Sequence, residues 1–157
     1  MAQGGLLGNG VKVGVSTSSP VSYTRIPQVT DAVLPQFTAD KVNIDTHSTT
    51  NNLHRNRAGL NDVADASVTV LSDMNPVTAP ALETLRLANQ NGTTIWIRYE
   101  IPTDDTRTVF RGCEFSCTVG SFTPSTPIAD KQTTQYNFVF NGDSVGWSAA
   151  VGASTIT

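Results

Sequence analysis

Asp104 and Asp105 are adjacent carboxylates in the stretch YEIPTDDTRTVFRGCEF, and paired acids are the first place to look for acid–base chemistry. Such chemistry requires burial that pulls the two pKa values apart. Here the pair follows Pro102 and Thr103 and precedes Thr106. These are turn-favouring types, because proline presets φ and a short Asp side chain bonds its own backbone two residues on. Ahead of them Ile95, Ile97, Tyr99 and Ile101 fall at every second position, the period of a strand with one buried face. The acids therefore read as the tip of a hairpin between strands at 93–101 and 107–119.

Other chemical groupings dissolve in the same way. His47 and His54 are the only histidines, seven residues apart, with no acid or cysteine at a spacing that completes a zinc site. Gly8, Gly10 and Gly14 imitate a dinucleotide fingerprint, but they precede the β-branched run Val11, Val13, Val15, where a phosphate-binding turn should open a helix. No serine sits in a strand-turn-helix elbow, and neither cysteine neighbours a histidine. Cys113 and Cys117 lie on one strand, where four residues at about 3.3 Å each hold them beyond bridging distance. They read as reduced, structural thiols made in a reducing cytosol. Asn91-Gly92-Thr93 is then a turn before a strand, not a glycosylation site. The expectation is no catalytic residue, no cofactor and no metal.

The elements that hold these residues read as mainly β. The chain has 157 residues, enough for one domain but not two. Charged residues make up 15%, well below the usual quarter, so neutral polar groups must cover the surface. A net charge of -3 argues against gripping nucleic acid through a basic face. The start lacks the basic and apolar run of a secretory signal, and no segment is long enough to span a bilayer. Residues 1–10 are a glycine-rich flexible arm, 11–143 the β domain and 144–157 a small-residue tail. Strands are expected at 11–16, 23–26, 41–45, 66–71 and 131–140. The single helix spans about 79–91, with Pro80 in its first turn, Ala81, Leu82, Leu85 and Ala88 as its stripe, and Gly92 as its left-handed end. Arg111 shares the parity of Val109, Cys113 and Phe115, and a bulge at Gly112 would turn it outward. Residues 122–130 read as a loop.

Residues 46–64, THSTTNNLHRNRAGLNDVA, have no sustained period. A compact domain seldom keeps so long a loop unless it is functional or disordered. Asn51, Leu53, His54, Arg55 and Arg57 make an amide-rich basic cluster without an aromatic for base stacking, which suits contact with a neighbouring subunit.

The hairpin IWIRYEIPTDDTRTVFRGCEFS, the strand KQTTQYNFVFNGD, and the order strand (ASVTVLSDMNP), single helix, Gly92 together resemble the major tail tube proteins of long-tailed, lambda-like bacteriophages over residues 10–143. The resemblance implies a β-sandwich or barrel-like tail tube fold with one flanking helix and a long inter-strand loop that reaches an adjacent copy. It implies a structural virion protein whose hexameric rings stack into the tube through which DNA is ejected. Tape measure, tail-tip and tail terminator proteins would be partners, with assembly in the host cytoplasm. DNA would pass a lumen of neutral and acidic side chains without specific binding, and Asp31, Asp40, Asp45, Glu100, Asp104, Asp105 and Glu114 are the candidates to face it. Relatives can carry an acidic long loop, whereas this one bears His54, Arg55 and Arg57. A non-enzymatic β-sandwich binding module of a virion or cell surface is the alternative, with hairpin tips as recognition loops.

Overall fold

The computed structural model describes residues 10–18, 22–44 and 56–157, the side chains of 56–61 and 142–145 excepted. In chain order the elements are β1 (Lys12–Ser16), β2 (Thr24–Arg25), β3 (Val29–Val33), β4 (Gln36–Asn43), β5 (Asn56–Ala64) and β6 (Ala66–Leu71), then α1 (Pro80–Asn91), β7 (Ile95–Pro102), β8 (Phe110–Ser125) and β9 (Thr133–Trp147). Among the described residues seven strands form one antiparallel sheet in the order β2-β1-β7-β8-β9-β6-β3, and β4 pairs only with β5.

The long sheet winds back on itself around its apolar face. Tyr99, on β7, donates its hydroxyl to the carbonyls of Ser67 at 3.2 Å and Val33 at 3.4 Å, on strands at the far end of the sheet order. Register shifts between Phe115 and Cys117 and between Val119 and Ser121 add the twist that lets β8 and β9 curl this tightly. Alternate residues supply the core: Val68 and Val70 from β6, Ile95 and Ile97 from β7, Phe115 from β8, Phe138 from β9. Tyr99 stacks on Phe115 at 5.9 Å, and Phe115 meets Phe138 edge-on at 6.5 Å. Each such side chain contributes about 1.5–3 kcal/mol through burial. The mainly β, barrel-like class expected from the sequence is the one observed.

The helix follows its sequence signals closely. Pro80 occupies the first turn, Ala81, Leu82, Leu85 and Ala88 are buried, and Gly92 ends it at φ 64° with its N–H on the Ala88 carbonyl. It packs on β8, where Asn89 Nδ2 donates to the Val119 carbonyl at 2.9 Å.

Four expectations need correction. The loop expected over 46–64 is shorter, because Asn56–Ala64 is β5, a strand that pairs with β4 and not with the main sheet. No register shift occurs at Gly112, which pairs in sequence with Glu100. Arg111 keeps the core-facing parity but lies beyond the core's end, its guanidinium 5.6 Å from the Trp147 ring and its Nε donating to the Ser148 carbonyl at 3.1 Å. The expected loop at 122–130 is half strand, since β8 runs to Ser125 despite Pro124. Finally, 144–157 is no tail: β9 runs to Trp147, and the residues beyond it pack against β1, β2, β7 and β8. The arm expected at 1–10 falls outside the described residues except for Gly10.

Candidate functional site

The residues singled out in the sequence do not converge on one site. Asn51, Leu53, His54, Arg55 and Asp45 lie outside the described residues, as does His47. Arg57 is in β5, opposite Val42 of β4. Asp31 on β3, Asp40 on β4 and Asp105 in the hairpin turn are exposed. Asp104 organises that turn. Its Oδ1 accepts from the backbone N–H of Thr108 at 3.0 Å and of Val109 at 3.1 Å, and its Oδ2 accepts from the hydroxyls of Thr106 and Thr108. The Thr106 hydroxyl, followed by these other donors, brings the carboxyl down to about 2. An acid so held stays ionised and donates no proton near neutrality.

Glu100, expected among the exposed acids, is instead fully buried within the chain. Its Oε1 accepts from Thr155 N at 2.9 Å, Thr155 Oγ1 at 2.9 Å and Arg98 Nε at 3.1 Å, and its Oε2 accepts from Ser154 Oγ at 2.6 Å. Burial pushes its pKa up, but these four donors outweigh that and hold it below the usual carboxylate range. Arg98 also reaches Glu114 at 3.3 Å, and Glu114 accepts from the Tyr23 hydroxyl at 2.7 Å. Burial, then the bond to Glu114, pushes the Tyr23 phenol up, so it remains a donor. Gly112 makes the cluster possible: a Cβ there would lie 2.2 Å from an Arg98 guanidinium nitrogen. The sequence shows this only as strand parity, with Arg98, Glu100, Gly112 and Glu114 on the face opposite the core.

The second feature is the β4–β5 ribbon. Every residue of β4 is exposed, including Phe37 at 49% and Val42 at 48%, and Ile44 beyond it is 41% exposed. The surplus residue between Ala39 and Lys41 lies on β5, so Phe37 and Val42 occupy opposite faces of the ribbon. A two-stranded ribbon without a sheet or helix to lie on is marginal in water. The prolines flanking this stretch obscured it, although KVNID does alternate.

The third feature is an open margin. β3 pairs only with β6 among the described residues, leaving its outer N–H and C=O groups facing outward beside Val33, which is 39% exposed. Among the described residues no cluster of three or more His, Cys, Asp or Glu could hold a metal ion. A shallow hollow of about 320 Å³ beside β1 and the start of α1 is lined by hydroxyl and apolar side chains alone.

No protein-family model matches the sequence, and no curated protein matches it. Solved structures do. The fold superposes with TM-score 0.69 and 11% identity on a chain from the tail of an empty gene transfer agent particle refined with C6 symmetry, covering 92% of this chain and all of that one. A chain of the six-fold symmetrised anti-feeding prophage baseplate matches with TM-score 0.70 and 7% identity, over 94% of this chain and 97% of that one. The SPP1 tail tube protein matches with TM-score 0.67 and 13% identity, over 98% of this chain and 81% of that one. The chain has the tail tube fold.

Proposed function

We propose that this chain is the repeating subunit of a virion tail tube, assembling as hexameric rings that stack into the conduit for DNA ejection, with no catalytic step of its own. The observation that carries the reading is the β4–β5 ribbon. Its strand β4, exposed along its whole length with apolar groups on both faces, finds its packing on another copy of the chain. Support also comes from the fold, shared over nearly the whole chain with chains of a gene transfer agent tail, the anti-feeding prophage baseplate and the SPP1 tail tube, the first two described with six-fold symmetry.

The physics of assembly follows from these surfaces. Contacts between unlike faces of identical copies close into a ring when the rotation permits, and repeated ring-to-ring contacts extend without limit. The open β3 margin gains partners in such a ring, which removes the liability of an unpaired edge. Exposed acids such as Asp31, Asp40 and Asp105, with a net charge of -3, would line the wall without the counterion-releasing attraction that basic residues give DNA. Tape measure, tail-tip and tail terminator proteins are the partners this role requires, met during assembly in the host cytoplasm. The test is negative-stain microscopy of the concentrated protein, alone and with a tail initiator complex. Rings or tubes support the reading, whereas monodisperse single copies under both conditions reject it.

A further inference from the structure

The main sheet has two margins, and among the described residues only the β2 margin is covered, while β3 pairs with β6 alone. Arg25 of β2 and Tyr23, just before β2, turn a backbone N–H and a C=O away from β1, and Thr157 takes both. Its carbonyl accepts from Arg25 N at 2.9 Å, and its N–H donates to the Tyr23 carbonyl at 3.2 Å. Thr157 Oγ1 adds a bond to that carbonyl at 3.3 Å. The preceding residues are fastened to the sheet face. Ser154 and Thr155 give three hydrogen bonds to the buried carboxylate of Glu100, and Ile156, 5% exposed, sits over Gly14, where a Cβ would come within 3.1 Å of its branches. Further back, Phe110 and Gly152 exchange two backbone bonds at 2.7 and 3.0 Å.

We propose that residues 154–157 are an intramolecular plug of the β2 margin, locked by Glu100, which prevents a second copy of this chain from adding its own open β3 margin there. Without the plug, each copy would present an open β2 margin and an open β3 margin. Two different open margins on one molecule pair head to tail, a contact that closes into a ring where the rotation permits and otherwise grows into a filament. The vacated site suits a strand: an outward donor and an outward acceptor two residues apart, beside the apolar seat that Ile156 leaves between Gly14 and Tyr23. The proposal stands whether or not the chain builds a tube, because it concerns the margin kept out of any assembly.

The test is a chain ending at Ala153, compared with the full chain by size-exclusion chromatography with light scattering, at a concentration where the full chain elutes as one species. Two exposed edge groups and an apolar seat should raise self-association about tenfold or more. The discriminating variant is Arg25→Pro in the shortened chain. Proline there removes the outward N–H without touching the bonds of β2 to β1, and it blocks strand addition. The plug predicts association of the shortened chain that Arg25→Pro reverses. A shortened chain that stays folded and elutes like the full chain overturns the proposal. So does one that unfolds or associates regardless of Arg25→Pro, because the segment would then be part of the core and not a plug.

Discussion

Replacing Glu100 by alanine strips the cluster beneath residues 154–157 of its only fully buried charge and leaves four donors facing a void. Breaking a buried pair by removing one partner costs about 3–5 kcal/mol. Arg98 retains Glu114 at 3.3 Å, and Ser154 and Thr155 can lift into water, so the lower end, about 3 kcal/mol, is expected. For a domain of this size that lowers the thermal midpoint by about 6–12 °C. Glu100→Gln keeps one acceptor oxygen but sets a donor against Ser154 or Thr155, and should cost about 1–2 kcal/mol. Urea unfolding followed by tryptophan fluorescence measures the loss, and hydrogen exchange at the Thr155 amide locates it. A cost for Glu100→Ala below about 1 kcal/mol, or a loss that leaves Thr155 exchange unchanged, would refute the claim that this carboxylate fastens the segment.

Gly112→Ala should cost about 1–3 kcal/mol in urea unfolding, because its Cβ drives the Arg98 guanidinium off both glutamates; in a Glu100→Ala background the penalty should shrink, as the two changes act on one network. Both Glu100 and Asp104 have pKa values held below the unfolded range, so their stabilisation is complete above that range and is lost as pH falls through the folded values. Protection of the Thr108 and Val109 amides, held by Asp104, measured relative to the intrinsic exchange rate at each pH, should therefore stay constant from neutrality to about pH 4 and fall toward about pH 2. Burial pushes Cys113 up to about 11 and Cys117 up to about 12, so at pH 8 a thiol reagent should label the folded protein about a hundredfold more slowly than a free thiol, and both should react at once in urea. Phe37→Lys with Val42→Lys alters only exposed positions, so the unfolding midpoint should stay within about 0.5 kcal/mol while tube growth seen by microscopy is lost.

The hairpin, the helix and β6 were legible because each has one buried face. Ile95, Ile97 and Tyr99 alternate against the core, and Ala81, Leu82, Leu85 and Ala88 recur at helical spacing, so periodicity and burial report the same thing. β5 was illegible for a different reason: its sequence, NRAGLNDVA, carries no sustained two-residue period, and its partner β4 is exposed throughout. The Glu100 cluster was hidden differently. Parity placed Glu100 on the face away from the core, where a strand acid normally meets water, and nothing local announced that Ser154 and Thr155, far along the chain, would cover it. Residues 144–157 looked like a tail for want of apolar alternation, yet Ser148 bonds the Gly112 backbone and Ile156 packs over Gly14.

The central claim, that the β4–β5 ribbon completes its packing on another copy of the chain, is tested most directly by helical cryo-electron microscopy of the assembled protein. The expected map shows Phe37 and Val42 buried between neighbouring copies. A map in which copies associate while both ribbon faces stay open to solvent would contradict it.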